Sequence, residues 1–376
     1  MKILIDHSNL IVGGGIQVGS SFLNDLRSLS LDNEYFVIQS FNSKNSIEKR
    51  IFPQNFIFFD LNELSLKSIK KRSKEVFDIE NRIKPDVIFT TFGPSYHKSS
   101  FPKIVGFAIP YLIYPNSPFF KLIPFLERLQ YKILGVIKKR AFIKNSNALI
   151  FESINAESII AKKLPNNIKT FTVNNTLNEI FLDKNRWEPL DYLLPKSFNI
   201  LCLTAYYKHK NIGIVPKVIE VLEKKYNFSD FKFIITISKN ELNFDSKFDK
   251  NIEYLGKVSL NQIPELYQKS TISFMPTLLE VFSATYLEAM YMEKPIITSD
   301  LAFSKEICGD AALFCNPLEA EKYADAIFEL YTNESLRKEL INKGKDNLKR
   351  FGTSLDRTKK YLDIMEKIKS YNHTII

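Results

Sequence analysis

Ile272-Ser273-Phe274-Met275 runs directly into Pro276-Thr277-Leu278-Leu279-Glu280-Val281-Phe282-Ser283-Ala284-Thr285-Tyr286-Leu287-Glu288-Ala289-Met290. The first four residues read as a short buried strand, and from about Phe282 the apolar spacing turns helical. A strand that passes through a short loop into a helix is the building unit of a parallel α/β sheet. The same order has a chemical consequence. The free N–H groups of the helix start lie close behind the sheet edge, where the helix dipole and unpaired donors favour a phosphate. Glu280 stands just before that start and Glu288 about two turns inside, roughly 12 Å apart along the axis at about 1.5 Å per residue. One carboxylate is thereby placed to accept hydrogen bonds from sugar hydroxyls and the other from a ribose, on either side of a pyrophosphate. Two glutamates on a helix are ordinarily a solvated pair. Here Leu279, Val281, Phe282 and Leu287 surround them with apolar residues.

Outward from this unit, strand-like runs alternate with helical or loop segments along the whole chain. In the first half they lie at Lys2 to Ile5, Tyr35 to Ile38, Asn55 to Phe59, Asp86 to Thr90, Lys103 to Phe107, Ala148 to Phe151 and Thr170 to Val173. In the second half they lie at Asn199 to Leu203, Lys232 to Ile237, Glu253 to Leu255, Ile272 to Met275 and Pro295 to Thr298, followed by a long charged helical stretch from about Leu318 to Met365. Between the halves, Asp183 to Lys196 breaks the periodicity with Trp187, Pro189 and Pro195 and reads as a linker. With 376 residues, two domains are the default. The reading is two doubly wound domains, with ligands expected at the carboxyl ends of the strands.

Thr204-Ala205-Tyr206-Tyr207-Lys208-His209-Lys210-Asn211 follows the first strand of the second half. A lysine at such a strand end neutralises a diphosphate as its bond to a sugar breaks. Lys210 is the candidate, with Lys208 a second source of charge. Near the N-terminus, Gly13-Gly14-Gly15 opens a helix. Those glycines suit either a backbone approached by a phosphate or a tight strand-to-helix turn. The chain contains no D-x-D and no His/Cys/carboxylate set at ligand spacing, so no essential metal is expected.

The glutamate stretch resembles the E-x7-E donor motif of family-four retaining glycosyltransferases of the GT-B fold. The likeness continues through Pro295-Ile296-Ile297-Thr298-Ser299-Asp300 and Cys308-Gly309-Asp310-Ala311-Ala312-Leu313-Phe314. It also takes in Phe92-Gly93-Pro94, Gly106-Phe107-Ala108-Ile109-Pro110 and Val173-Asn174-Asn175-Thr176-Leu177-Asn178, in the right order. The resemblance implies two Rossmann-like domains facing across a cleft: an acceptor-side domain over 1–185, a nucleotide-sugar domain over 196–355, and a helix over 356–376 packing back on the first. It implies that Lys210 and Glu280 are catalytic, and that Gly15, Lys208, Lys210, Glu280, Phe282, Ser283, Ala284 and Glu288 hold the donor. Three positions depart from the family pattern. Ala205 stands where an arginine is usual, Val281 and Ser283 where glycines are frequent, and no histidine aligns near Pro110 or Tyr111.

The implied function is retaining transfer of a hexosyl unit from a nucleotide-sugar to a saccharide or lipid-linked acceptor, in capsule, O-antigen or exopolysaccharide assembly, with no cofactor. Two rivals remain: a nucleotide-sugar epimerase of the same architecture, and a non-catalytic nucleotide-sugar or lipid-binding partner.

Charge bears on location and partners. The formal charge is +10, and residues 1–190 hold 26 Lys and Arg against 17 Asp and Glu, while 191–376 hold 26 against 25. Within the basic half, 118–144 mixes Phe119, Phe120, Phe125, Leu126, Leu129, Ile133 and Ile137 with Lys121, Arg128, Lys132, Lys138, Lys139, Arg140 and Lys144. This is either a surface that lies on an anionic membrane or a buried crossover helix with a solvated basic face. Nucleic acid is not expected, because the charge follows apolar clusters and no nucleic-acid module is recognised. Cys202, Cys308 and Cys315 sit in or beside apolar runs without paired spacing and read as core thiols of a reducing compartment. The carboxylate of Asp6 interrupts any secretion signal, and the longest near-apolar run, Ile104 to Pro115, falls short of the ~20 residues a membrane span needs. A cytoplasmic enzyme, resting on the inner membrane face, is the expectation.

Overall fold

The computed structural model describes every residue except 12, 30 and 374–376, and only the backbone of 371–373. It divides into two compact units. The first comprises Met1–Ile113, Pro124–Asn175 and Thr353 onward, and the second Tyr114–Ile123 and Thr176–Gly352. The expected domain of 1–185 is thus not one continuous piece. Residues 114–123 and 176–185 group with the second unit, and the last helix, Ser354–His373, groups with the first.

The first unit is a parallel sheet of β1 (Lys2–His7), β2 (Glu34–Gln39), β3 (Phe56–Asp60), β4 (Val87–Thr90), β5 (Lys103–Phe107), β6 (Ala148–Phe151) and β7 (Lys169–Thr172). Its order is β3-β2-β1-β4-β5-β6-β7, so the winding reverses between β1 and β4. Every residue of β4, β5 and β6 is buried, as a sheet covered on both faces requires. One cover is the helix Gly14–Ser28, whose Phe22, Leu23 and Leu26 meet Tyr361, Leu362 and Met365 of the helix Ser354–His373 in one core. Phe22 stands edge-on to Tyr361, with ring centroids 5.4 Å apart. Polar contacts pin the same seam: Thr358 Oγ1 donates to Asp25 at 2.8 Å, and Arg357 donates to Asn175 at 2.7 Å.

The second unit is also all parallel: β8 (Phe198–Cys202), β9 (Phe231–Ile235), β10 (Ile252–Tyr254), β11 (Ile272–Met275), β12 (Ile296–Ser299) and β13 (Ala312–Cys315), in the order β10-β9-β8-β11-β12-β13. Here the winding reverses between β8 and β11. The doubly wound expectation is met in both units. β13 is an additional strand, pairing with β12 from Ile296 opposite Ala312 to Ser299 opposite Cys315. Its four residues are apolar, like those of expected strands, but its centre is only half-buried.

The long helical stretch expected from Leu318 to Met365 is three helices: Ala320–Thr332, Glu334–Leu348 and Ser354–His373. Asn333 starts the second by accepting the Leu336 N–H on its side chain at 2.9 Å. The left-handed φ of 64° at Gly352 then turns the chain before the third. The three cysteines are free and buried.

Candidate functional site

In the second unit the switch point brings together two loops, one after β8 and one after β11. After β8 the chain reaches the short turn Lys208–Lys210, closed by Asn211 at φ 56°. Asparagine tolerates this left-handed backbone, and its side-chain amide donates to the Pro317 carbonyl at 3.2 Å. Lys210 is thus delivered at a fixed place. After β11, residues 276–283 stay non-helical, and the helix Ala284–Tyr291 begins two residues later than the spacing suggests. Glu288 is therefore its fifth residue, little more than one turn inside.

The loops are tied directly. The Leu278 N–H donates to the His209 carbonyl at 2.8 Å. Ser117, from the short excursion of the chain into this unit, donates its hydroxyl to the Leu278 carbonyl at 2.5 Å, and Phe119 meets the His209 ring edge-on. No spacing in the sequence announces Ser117, 161 positions from its partner.

Lys210 Nζ donates to Glu280 Oε2 at 2.6 Å, and both side chains are about four-fifths buried. A cation and a carboxylate are thus held in contact at the start of a helix whose N-cap residue, Ser283, makes no capping bond. The Ser283 hydroxyl is engaged with that of Thr285 instead, at 2.8 Å. In this first turn the Tyr286 N–H is bound to the Ser283 carbonyl at 3.3 Å, and no side chain caps the N–H groups before it. Lys210, Glu280, Ser283 and Ala284 share this corner. Phe282 is there by backbone only, because its ring is buried against Phe351. Lys208 is exposed on the same turn. Gly15 lies in the other unit, as the second residue of the helix Gly14–Ser28.

Glu288 is buried, only 7% exposed. The Tyr267 hydroxyl lies 3.3 Å from its carboxylate and equally close to the Thr285 carbonyl. Burial pushes the Glu288 carboxyl up to about 7, against the smaller opposing effect of the Tyr267 hydrogen bond. Tyr267 escaped the sequence reading, although it ends the helix Ile263–Gln268 just before β11. His209 is driven the other way, down to about 4, by burial and then by the neighbouring Lys210. It is therefore neutral near pH 7 and adds no charge. Among the described residues no group of three or more His, Cys, Asp or Glu is arranged to hold a metal ion. None of their helices is long and apolar enough to cross a membrane.

Solved structures with this two-sheet plan superpose over nearly the whole chain. Sucrose-phosphate synthase from Thermosynechococcus elongatus does so with a TM-score of 0.75 at 11% identity, covering 99% of this chain and 100% of that one. HepE from Anabaena, in complex with UDP and glucose, gives 0.68 at 12%, with 97% and 99% covered. At such identities the fold is what is shared, and it is the GT-B fold. Sequence adds a match over part of the chain: residues 192–347 match the family model described as glycosyl transferases group 1. Among curated relatives, the O-antigen chain mannosyltransferase RfbU of Salmonella typhimurium is 24% identical over 223 residues, 57% of this chain and 58% of that protein. The alpha-galactosylglucosyldiacylglycerol synthase of Streptococcus pneumoniae is 23% identical over 265 residues, 64% and 67% respectively. The first of these alignments thus spans little more than half of the relative's length.

Proposed function

We propose that the chain transfers a hexosyl unit, with retention and without a metal, from a nucleotide-sugar to a saccharide or lipid-linked acceptor in the assembly of a surface polysaccharide. The observation that carries this is the Lys210–Glu280 pair beside the uncapped start of the helix Ala284–Tyr291. In the proposed mechanism the Lys210 ammonium and the helix N–H groups take the diphosphate. They stabilise charge where it grows as the glycosidic bond to the leaving group breaks. Glu280, released from Lys210 as the diphosphate arrives, accepts from sugar hydroxyls, and Glu288 accepts from the ribose. HepE binds UDP and glucose, and RfbU is named for O-antigen mannosyl transfer. Both support the reading, while retention rests on the likeness to family four. The test is a panel of UDP-, GDP- and dTDP-sugars. At least one is expected to raise the melting temperature, by more the tighter it binds, and to be consumed only when an acceptor is added. Conversion of the donor alone to an epimer would give the site to the rival enzyme class.

A cytoplasmic setting at an anionic membrane face belongs to the same proposal and has its own support. The helix Phe125–Asn145 of the first unit buries only Gly135 and Phe142. Phe125 and Leu126 are 72% and 71% exposed, and Leu129, Ile133, Val136 and Ile137 are exposed with them. At about 100° per residue these six fall on one outward stripe, with Arg128, Lys132 and Lys139 along one flank. A buried crossover helix would not present such a face. Anionic vesicles of phosphatidylglycerol are expected to sediment the protein and phosphatidylcholine vesicles not to. The double change Phe125→Glu, Leu126→Glu should weaken that binding about tenfold or more, since it removes buried apolar area and adds repulsion. Equal sedimentation by both lipids would remove the electrostatic part of this reading.

A further inference from the structure

Arg72, in the first turn of the helix Ile69–Ile83, is 8% exposed, and its guanidinium has no hydrogen-bond or ion-pair partner among the described residues. It lines a small cleft in the first unit with Asp6, Ser8, Asn9, Ser95, Tyr96 and His97. Those residues come from the carboxyl ends of β1 and β4 and the loops that follow. This is the point where the sheet order reverses and where open α/β sheets take their ligands.

Of the neighbouring acids, Glu80 is ion-paired, while Asp6 is held by neutral donors only and keeps its charge at the cleft. Both carboxylate oxygens of Asp6 accept hydrogen bonds within the chain, from the Ser8 N–H and the Thr90 hydroxyl, each at 2.9 Å. Glu80 is bound by Lys103 at 2.8 Å and by His97 at 2.7 Å. Arg72 has no hydrogen-bond or ion-pair partner among the described residues, and none of its nitrogens is a fully buried, unpartnered atom, so its guanidinium is reached from the cleft. The loop is also set in place. Asn9 Nδ2 donates to the carbonyls of Phe92 and Pro94, at 3.1 and 3.2 Å, so the cleft wall is fixed before any ligand arrives.

We propose that this cleft binds an oxyanion, a carboxylate or a phosphate, carried by the acceptor. The planar fork of a guanidinium matches the two oxygens of either group. The cleft's free space, about 10 Å³, admits the oxygens of one small anion and not a sugar ring. The word acceptor rests on the glycosyltransferase reading, but the anion site does not.

The full-length chain is followed by thermal shift at constant ionic strength, set with sodium chloride, while glycerol 3-phosphate or D-glucuronate is added. At least one is expected to raise the melting temperature of the wild type, and the effective one identifies the group as phosphate or carboxylate. In Arg72→Met the affinity should fall at least tenfold, while the shift given by UDP or GDP at the other unit stays the same. Without added anion, Arg72→Met should melt close to the wild type, because the guanidinium it removes makes no hydrogen bond or ion pair among the described residues. No shift in the wild type, an equal shift in the variant, or a markedly lower melting point of the variant would overturn the proposal. Should Arg72→Met not fold, Arg72→Lys takes its place. Keeping the charge without the fork, it should bind several-fold more weakly, and unchanged affinity counts against the site. Absence of any nucleotide shift, with the anion shift intact, is the separate failure of the glycosyltransferase reading.

Discussion

Lys210→Ala is expected to lower kcat/KM for sugar transfer by about 10²–10³, the scale of losing one preorganised donor aimed at developing charge. Two effects add in this variant. The ammonium that balances the leaving diphosphate is gone, and Glu280, its partner at 2.6 Å, is left as a bare carboxylate facing the same phosphates. A second change separates them. Lys210→Ala combined with Glu280→Gln removes the repulsion, so nucleotide affinity measured by calorimetry should recover in part while transfer stays low. Glu280→Ala alone should keep most of the affinity and lose transfer. If Lys210→Ala binds and transfers like the wild type, the diphosphate is not held at this corner.

The affinity for a nucleotide-sugar is expected to rise by about tenfold or more between pH 5.5 and 8, and Glu288→Gln should bind weakly at every pH. A nucleotide-sugar's diphosphate diester stays ionised over this range, so the change belongs to the protein. Glu288 has its carboxyl raised to about 7 by burial. Below that pH the free protein carries the proton, and a neutral carboxyl accepts from two ribose hydroxyls more weakly than a carboxylate does. Binding must then expel the proton, at a cost of about tenfold in affinity per pH unit below 7. Calorimetry in buffers of different ionisation enthalpy should show close to one proton released at pH 6 and almost none at pH 8. His209, lowered to about 4, lies outside the window. Folding stability follows the same group. Between the ordinary glutamate value of 4.5 and about 7, the folded chain binds a proton that the unfolded chain does not. This contribution therefore falls as pH rises through the window. An affinity independent of pH would mean that Glu288 does not touch the ribose.

The sequence announced much of this fold because its signals are local. Strands such as Ala148–Phe151 and Ile272–Met275 are short, apolar but for Ser273, and buried throughout, so composition marks them. β13 is as short and as apolar as these, and only its half-buried centre sets it apart. The single helix read over 318–365 failed for a reason of its own. Charged residues keep a helical rhythm across a break, and the breaks at Asn333 and Gly352 depend on a cap and one backbone angle.

In the candidate site the same division holds. Lys210 and Glu280 were legible because each stands at a strand end with a motif around it, and the structure puts them in contact. Tyr267 and Ser117 were not, since each reaches its partner across the fold. Phe282 looked like a ligand contact because of its neighbours in sequence, but its ring packs in the core. Arg72 showed nothing in sequence. A lysine-rich helix hides which of its cations is buried.

The first unit is sewn from three lengths of chain, and the last of them, the helix Ser354–His373, fills the core against residues made at the very beginning. On the ribosome the opening sheet emerges with Phe22 and Phe89 uncovered, and they stay so until the final stretch has been synthesised. The second unit, nearly all of it encoded in one run, can close while its elder is still waiting. The half that is translated first is thus the half whose core closes last.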